Sequence, residues 1–225
     1  MKYIRPNTEL ALLFTRRALA EIICDTVNLE GVPFTLPEVM TLLEGVTIGG
    51  RKVADEVMVL NQKKAWSLLF DAVKDETFAL TKDLAETLNG LVGYDQVKDA
   101  GQFRHGQIFL SGTDYVPPHY EDLDDEFKQL LTSIEASQKS VIDSAIHIFL
   151  NMARTQYFYD GNKRTARLMM SGYLLSHGLP AINVPYARKL EYSAALIEFY
   201  DTGEEFVMND FLKSCISEKS ILAMT

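Results

Sequence analysis

Apolar residues recur at helical spacing along most of this chain. Between Leu10 and Asn28 they fall at Leu13, Phe14, Ala18, Ile22, Ile23 and Val27, which predicts one helix. Asn7 or Thr8 is placed to cap it and Gly31 to end it. Thr35 opens a short helix with Pro37 in its first turn and Gly45 at its close. Beyond the break at Gly49-Gly50, helices are predicted from Val53 to Val73 and from Thr81 to Leu91. Between Gly101 and Pro118 the pattern changes. Gln107-Ile108-Phe109-Leu110 partly favours extended structure, is flanked by Gly106 and Gly112, and is followed by Pro117-Pro118. That predicts a β-hairpin or an extended flap. Helices return from Leu123 to Ala136 and from Lys139 to Tyr157, the second with Val141, Ala145, Ile148, Phe149 and Met152 on one stripe. An Asp-Gly-Asn turn interrupts, and a helix from Lys163 to His177 stops at Gly178, with Pro180 beyond. Two more helices are predicted near Ala187 to Tyr200 and Glu204 to Glu218.

The expectation is an all-α fold with one small β-hairpin flap at 101–118. Residues 1–75 form an N-terminal helical extension in this reading, packed on a core domain of residues 76–225. No internal repeat or low-complexity tract breaks the pattern.

Composition narrows the class. Across 225 residues, 47% are hydrophobic and 24% charged, enough for a sizeable core. No apolar run reaches the roughly 20 residues that cross a bilayer, and MKYIRPNTEL carries no signal-peptide apolar region, so no membrane contact is expected. Two cysteines, Cys24 and Cys215, sit in apolar helical patterns without a C-x-x-C pair, which reads as reduced thiols and a cytoplasmic location. A net charge of -9 argues against a nucleic-acid partner. It leaves room for a local basic pocket.

Such a pocket is indicated at Asp160-Gly161-Asn162-Lys163-Arg164. A helix ends, a glycine turn follows, and a new helix presents free N–H groups and its positive dipole end. Arg164 and Arg167, three apart, share a face, and Lys163 adjoins them. Three cations at a helix N-terminus conflict with the dipole, and a bound phosphate relieves the conflict while matching the arginine forks. Asp160 is placed to hold a divalent metal that bridges such phosphates. An ordinary turn followed by a solvated basic face accounts for the same residues and remains the alternative.

The segment Gln156 to Arg167 resembles the Fic signature, H-x-F-x-D/E-G-N-G/K-R-x-x-R. Phe158, Asp160, Gly161, Asn162, Arg164 and Arg167 fall on the pattern. The preceding helix, the flap and Tyr115-Val116-Pro117-Pro118 resemble the family in order and spacing. Members of that family typically transfer AMP from ATP to a protein hydroxyl, and Doc-like relatives transfer phosphate. The resemblance implies ATP or ADP as ligand, Mg²⁺ on Asp160, and a protein substrate or partner, with a homodimer possible. It implies that Gly161, Asn162 and Lys163 line the phosphate site, that Arg164 meets the β-phosphate region and Arg167 the γ-phosphate. Phe158 would anchor the loop, and Gln107, Ile108, Phe109 and Leu110 would align a target segment by strand pairing.

This chain departs from the pattern. Gln156 stands where the family has its catalytic histidine, and an amide cannot act as a general base near neutrality. Tyr157 replaces the usual proline. Lys163 is Doc-like, whereas Arg167 is typical of AMP-transferring members. Among the histidines, His147 lies about two and a half turns up the same helix from Gln156 and reads as a core or interface residue, and His105 on the flap could approach the site, with a plain surface residue of the flap as the favoured alternative. Histidine spacing does not suit a zinc site.

A second motif, Thr26-Val27-Asn28-Leu29-Glu30-Gly31, resembles the family's inhibitory pattern S/T-x-x-x-E-G/N. It implies that Thr26, Glu30 and Gly31 build an inhibitory helix end whose Glu30 pairs with Arg167 and competes with the γ-phosphate. A plain helix C-terminus with Glu30 exposed is the alternative. The resulting expectation is a nucleotide-binding, autoinhibited Fic-type protein with weak or no transferase activity. An active AMP- or phosphotransferase in which Gln156 only orients the hydroxyl, or an antitoxin-like regulator, are the alternatives, with removal of AMP ranked below them.

Overall fold

The computed structural model describes residues 5–223. Among them every regular element is helical. Helix α1 (Thr8–Arg17) starts at Asn7, whose Oδ1 accepts from the Leu10 N–H at 2.9 Å. Helix α2 (Leu19–Leu29) follows after a single residue, Ala18, so the one helix expected over Leu10–Asn28 is two. Ala18 carries φ -87 and ψ 0, enough to turn the axis while the Ile22 N–H still reaches its carbonyl. The turn lets α1 lie on α4 (Val53–Lys74) and α8 (Asn162–Ser176) while α2 lies on α3 (Leu36–Leu43) and α4.

Helix α8 is the centre of the structure. Helices α4, α5 (Lys82–Val92) and α7 (Val141–Thr155) all pack on it, α7 most extensively. It is buried nearly all round, which is why its sequence shows little amphipathic stripe. At Gly172 a Cβ would fall 2.2 Å from Phe78 and 2.7 Å from Leu69, so glycine sets how closely α4 and the strap after it approach. Helix α6 (Leu123–Glu135) covers α7, and α9 (Lys189–Thr202) and α10 (Phe206–Ser214) pack together, with α10 also on α7. The single helix expected over Glu204–Glu218 breaks after Ser214. A separate α11 (Glu218–Ala223) begins where Ser217 Oγ accepts from the Ser220 N–H. One apolar cluster runs from Ala11 to Leu212, so α1–α4 share a core with the rest.

The expected β-hairpin at 101–118 is not there: these residues are extended and turning without strand pairing. Pro117 and Pro118 have no N–H to give a ladder. A two-stranded hairpin standing alone is marginal in any case. The cross-connections come from side chains. Gln107 Nε2 donates to the Pro117 carbonyl at 3.0 Å, and Arg104 closes the neck of the loop. Exposure alternates along the segment, with Gln107 and Phe109 outward and Ile108 and Leu110 half-buried.

Candidate functional site

The turn between α7 and α8 is held from below by aromatic packing. Tyr157 and Phe158 are buried, and Phe103 stacks on Tyr157 at 4.8 Å and meets Phe158 edge-on at 5.4 Å. Asn89, buried on α5, fixes the turn from the side. Its Nδ2 donates to the Asp160 carbonyl at 3.0 Å and to Thr165 Oγ1 at 3.2 Å, and its Oδ1 accepts from the Gly101 N–H at 2.9 Å. Gly161 takes φ +75 at the start of α8, and a Cβ there would press on Asn89 and Val92 at 3.1 Å. The chain therefore enters α8 abruptly, and the first amides of the helix are left without intrahelical acceptors.

Each residue singled out from the sequence has a definite place. Asp160 is largely exposed; its Oδ1 accepts from the Gly161 N–H at 2.6 Å and its Oδ2 lies 3.2 Å from Arg164 Nη2. Asn162 is buried. Its Oδ1 accepts from the Phe158 N–H at 2.9 Å, and its Nδ2 donates both to the Phe158 carbonyl at 2.7 Å and to Gln156 Oε1 at 2.9 Å. Gln156 caps α7 in the left-handed region, with φ 55 and ψ 62, and only 7% of it is exposed. Its Nε2 donates to the Ala153 carbonyl.

Arg164 and Arg167 point into the interior at 3% and 7% exposure. Among the described residues, Nε and Nη1 of Arg164 and Nε of Arg167 have no acceptor. Arg167 Nη2 donates to Glu30 Oε1 at 3.0 Å, and Nη1 reaches the Tyr192 hydroxyl at 3.4 Å. Lys163 Nζ lies 3.9 Å from Glu30 Oε2. Glu30 is the C-cap of α2. Gly31, at φ +85, follows it, and the N–H groups of Gly31 and Val32 return to the Asn28 and Val27 carbonyls. This helix end holds Glu30 against α8 rather than in solvent. Burial works to raise the Glu30 pKa, but Lys163, Arg167 and Arg164 together outweigh it and hold the carboxyl below the ordinary glutamate value. Burial pushes the Tyr192 phenol up to about 12. Thr26 is buried and lines, with Gln62, Arg164, Arg167 and Ser171, a small cleft behind the arginines.

Other expected residues are placed elsewhere. His147 sits between Glu205 and Ser133, tying α7 to the start of α10 and to α6. His105 meets Tyr159 edge-on at 5.4 Å, on the rim of a cleft that Asp160 also lines. Phe109 stands 76% exposed on the flap. Among the described residues, no group of three histidines, cysteines or acids is arranged to hold a metal ion. No described helix is long and apolar enough to cross a membrane.

Sequence reasoning missed two residues. Arg104 is only 2% exposed and, among the described residues, has no carboxylate partner; its Nε donates to the Gln156 carbonyl at 2.7 Å, its Nη1 to the Gly106 carbonyl at 3.0 Å and its Nη2 to the Pro118 carbonyl. Burial lowers its pKa from the ordinary arginine value. The other is Asn89. It shares the buried face of α5 with Ala85, Leu88 and Val92, and a polar residue on that stripe was the available signal.

A model of the Fic/DOC family matches residues 75–174. The protein adenylyltransferase Fic of Drosophila ananassae is 25% identical over 181 residues, covering 79% of this chain and 36% of the relative. The chain thus spans little more than a third of the length of the curated relatives it matches. Residues 134–508 of Fic-1 from C. elegans superpose with a TM-score of 0.81 at 21% identity, covering 93% of this chain and 63% of that one. A Fic domain containing signaling protein from Bacteroides thetaiotaomicron gives 0.79 at 17% identity, over 97% of this chain and 90% of that one. These superpositions show a shared fold.

Proposed function

We propose, on the premise that residues 75–174 form a Fic/DOC family domain, that the start of α8 binds the phosphates of ATP or ADP and that Glu30 restrains this binding. The observation that carries it is the set of unanswered donors. Arg164 Nε and Nη1 and Arg167 Nε are buried without an acceptor among the described residues. A buried charged donor left unpaired costs about 1–3 kcal/mol or more. An anion at the α8 N-terminus, where amides and dipole also favour negative charge, removes that cost. Asp160, exposed beside Arg164, fits the single carboxylate by which Mg²⁺ is commonly held together with substrate phosphates and water. When bound, that ion would neutralise phosphate charge.

Glu30 occupies one arm of the Arg167 fork, and its carboxylate opposes a terminal phosphate there. In this reading the chain is an adenylyltransferase-type protein with weak or no transfer, because Gln156 has no basic site to take a proton from an incoming hydroxyl. A protein partner is supported by the unpaired extended segment at Gln107, Ile108, Phe109 and Leu110, with Phe109 exposed.

The test is calorimetric titration of ADP and of ATP with Mg²⁺ into the wild-type protein, Arg164→Ala and Glu30→Gly. Binding should disappear in Arg164→Ala, and ATP affinity should rise in Glu30→Gly. Equal affinities in the two variants, or no binding in either wild type or Glu30→Gly, would reject the reading.

A further inference from the structure

Gln156 occupies the position from which the reacting hydroxyl would be served, yet its side chain is turned away from any incoming group. Both polar atoms are already bonded, Oε1 by Asn162 Nδ2 at 2.9 Å and Nε2 to the Ala153 carbonyl. The residue is 7% exposed. Its backbone sits in the left-handed region at φ 55, sparsely populated by residues other than glycine, so surrounding contacts must hold it there. The Gln156 carbonyl accepts from Arg104, and its amide N–H donates to the Met152 carbonyl.

Asn162 is the opposite end of the contact. It is 6% exposed at the first turn of α8, and among the described residues its Nδ2 has two acceptors, the Phe158 carbonyl and Gln156 Oε1. The Oδ1 of the same residue holds the Phe158 N–H. Asn162 therefore closes the turn on itself, and Gln156 fixes which way Asn162 faces. A neutral histidine ring also carries one donor and one acceptor nitrogen, but they point apart on a rigid ring, whereas the amide carries both on one planar end. Gln156 uses that end to accept from Asn162 and donate to the Ala153 carbonyl at once.

The geometry points to Gln156 as a positioning residue for nucleotide binding, a latch that holds the Asn162 turn in its phosphate-receiving form, with no contact to a target hydroxyl. This rests on the nucleotide reading above for its ligand, and on the bonds alone for the latch. Losing the Gln156 hydrogen bond should loosen the turn and weaken ADP by about tenfold, the equivalent of one typical internal hydrogen bond.

Gln156→Met keeps the volume and removes both polar atoms. Gln156→Glu keeps the acceptor for Asn162. Amide hydrogen exchange on the ligand-free proteins reads the latch directly. Exchange across residues 158–162 should quicken several-fold in Gln156→Met, return toward wild type in Gln156→Glu, and stay unchanged in α5. A double-mutant cycle on ADP affinity reads the coupling. Gln156→Met should weaken ADP about tenfold alone and add nothing once Asn162 is alanine. Unchanged exchange in Gln156→Met, or additive effects in the cycle, would overturn the latch. If wild type takes up no ADP, the nucleotide reading fails while the exchange experiment still decides the latch.

Discussion

Glu30 and Arg167, 137 residues apart in sequence, meet at 3.0 Å where the end of α2 abuts the first turns of α8. Their contact sets stability and ligand affinity against each other. Replacing Glu30 by Gly leaves Arg167 Nη2 without its carboxylate, so unfolding free energy should fall by about 1–3 kcal/mol. The same change opens the fork, and ATP affinity should rise about tenfold, one charge-assisted contact exchanged for another. Urea melts and calorimetry on one preparation check both. A variant that loses stability without gaining affinity would leave the ion pair as structure only.

The pH dependence of this pair has a fixed sign. Glu30 is held below the ordinary glutamate value of about 4.3. Between that value and its lower folded value, the unfolded chain binds more protons, so stability rises with pH across this window. The contribution is complete above pH 4.3 or so and disappears as pH falls through the folded value. The difference in stability between wild type and Glu30→Gln should therefore be flat from pH 5 to 7 and shrink below about 4. Urea midpoints from pH 3 to 7 measure it. A difference that grows on acidification contradicts the assignment.

Much of this was legible from spacing. The α7 stripe, the Asp-Gly-Asn turn and the Gly178 stop each come from local periodicity or turn chemistry, and the structure has helices and a turn there. The exceptions depend on distant partners. Ala18 breaks a helix where α1 turns toward α8 and α2 toward α3, both still touching α4, and no local window contains those partners. The flap lacks a ladder because its closure comes from Arg104 and Gln107 side chains, and β-propensity does not register them. Glu30 facing Arg167 is an expectation from resemblance to a known motif, and the two residues meet at 3.0 Å, whereas the inward turn of Gln156 depends on a left-handed backbone that a glutamine does not announce.

Arg104 gives the flap its own test. One buried guanidinium ties the Gln156 carbonyl to both ends of the loop, at Gly106 and Pro118. Lysine retains the charge but has no planar fork, so Arg104→Lys should lose at least two of these bonds. The expected loss is about 2–4 kcal/mol, several internal hydrogen bonds with buried carbonyls left unanswered. Amides of residues 106–116 should exchange faster by at least tenfold, while those of α4 follow only the global change. If flap exchange in Arg104→Lys matches wild type after correction for stability, the neck is held by Gln107 and packing instead.

The clearest chemical consequence concerns position 156. General-base catalysis typically contributes about 10²–10⁴-fold in rate, and glutamine supplies none of it. Removing Glu30 alone should therefore open the phosphate site without producing efficient transfer. Gln156→His in the Glu30→Gly background supplies an imidazole at the end of α7 and gives up the Gln156–Asn162 hydrogen bond, beside a turn that Asn89, Phe103 and Arg104 also hold, so the comparison is made at saturating ATP. Label from α-labelled ATP should then appear on protein in a cell extract at least a hundredfold faster than with Glu30→Gly alone. γ-Labelled ATP in parallel separates AMP transfer from phosphate transfer, the point on which Lys163 and Arg167 give opposing signals. Equal and substantial labelling by the single and double variants would mean that Gln156 does not limit the reaction and that the chain is a working transferase restrained only by Glu30, whereas no label from either would reject transfer by this chain.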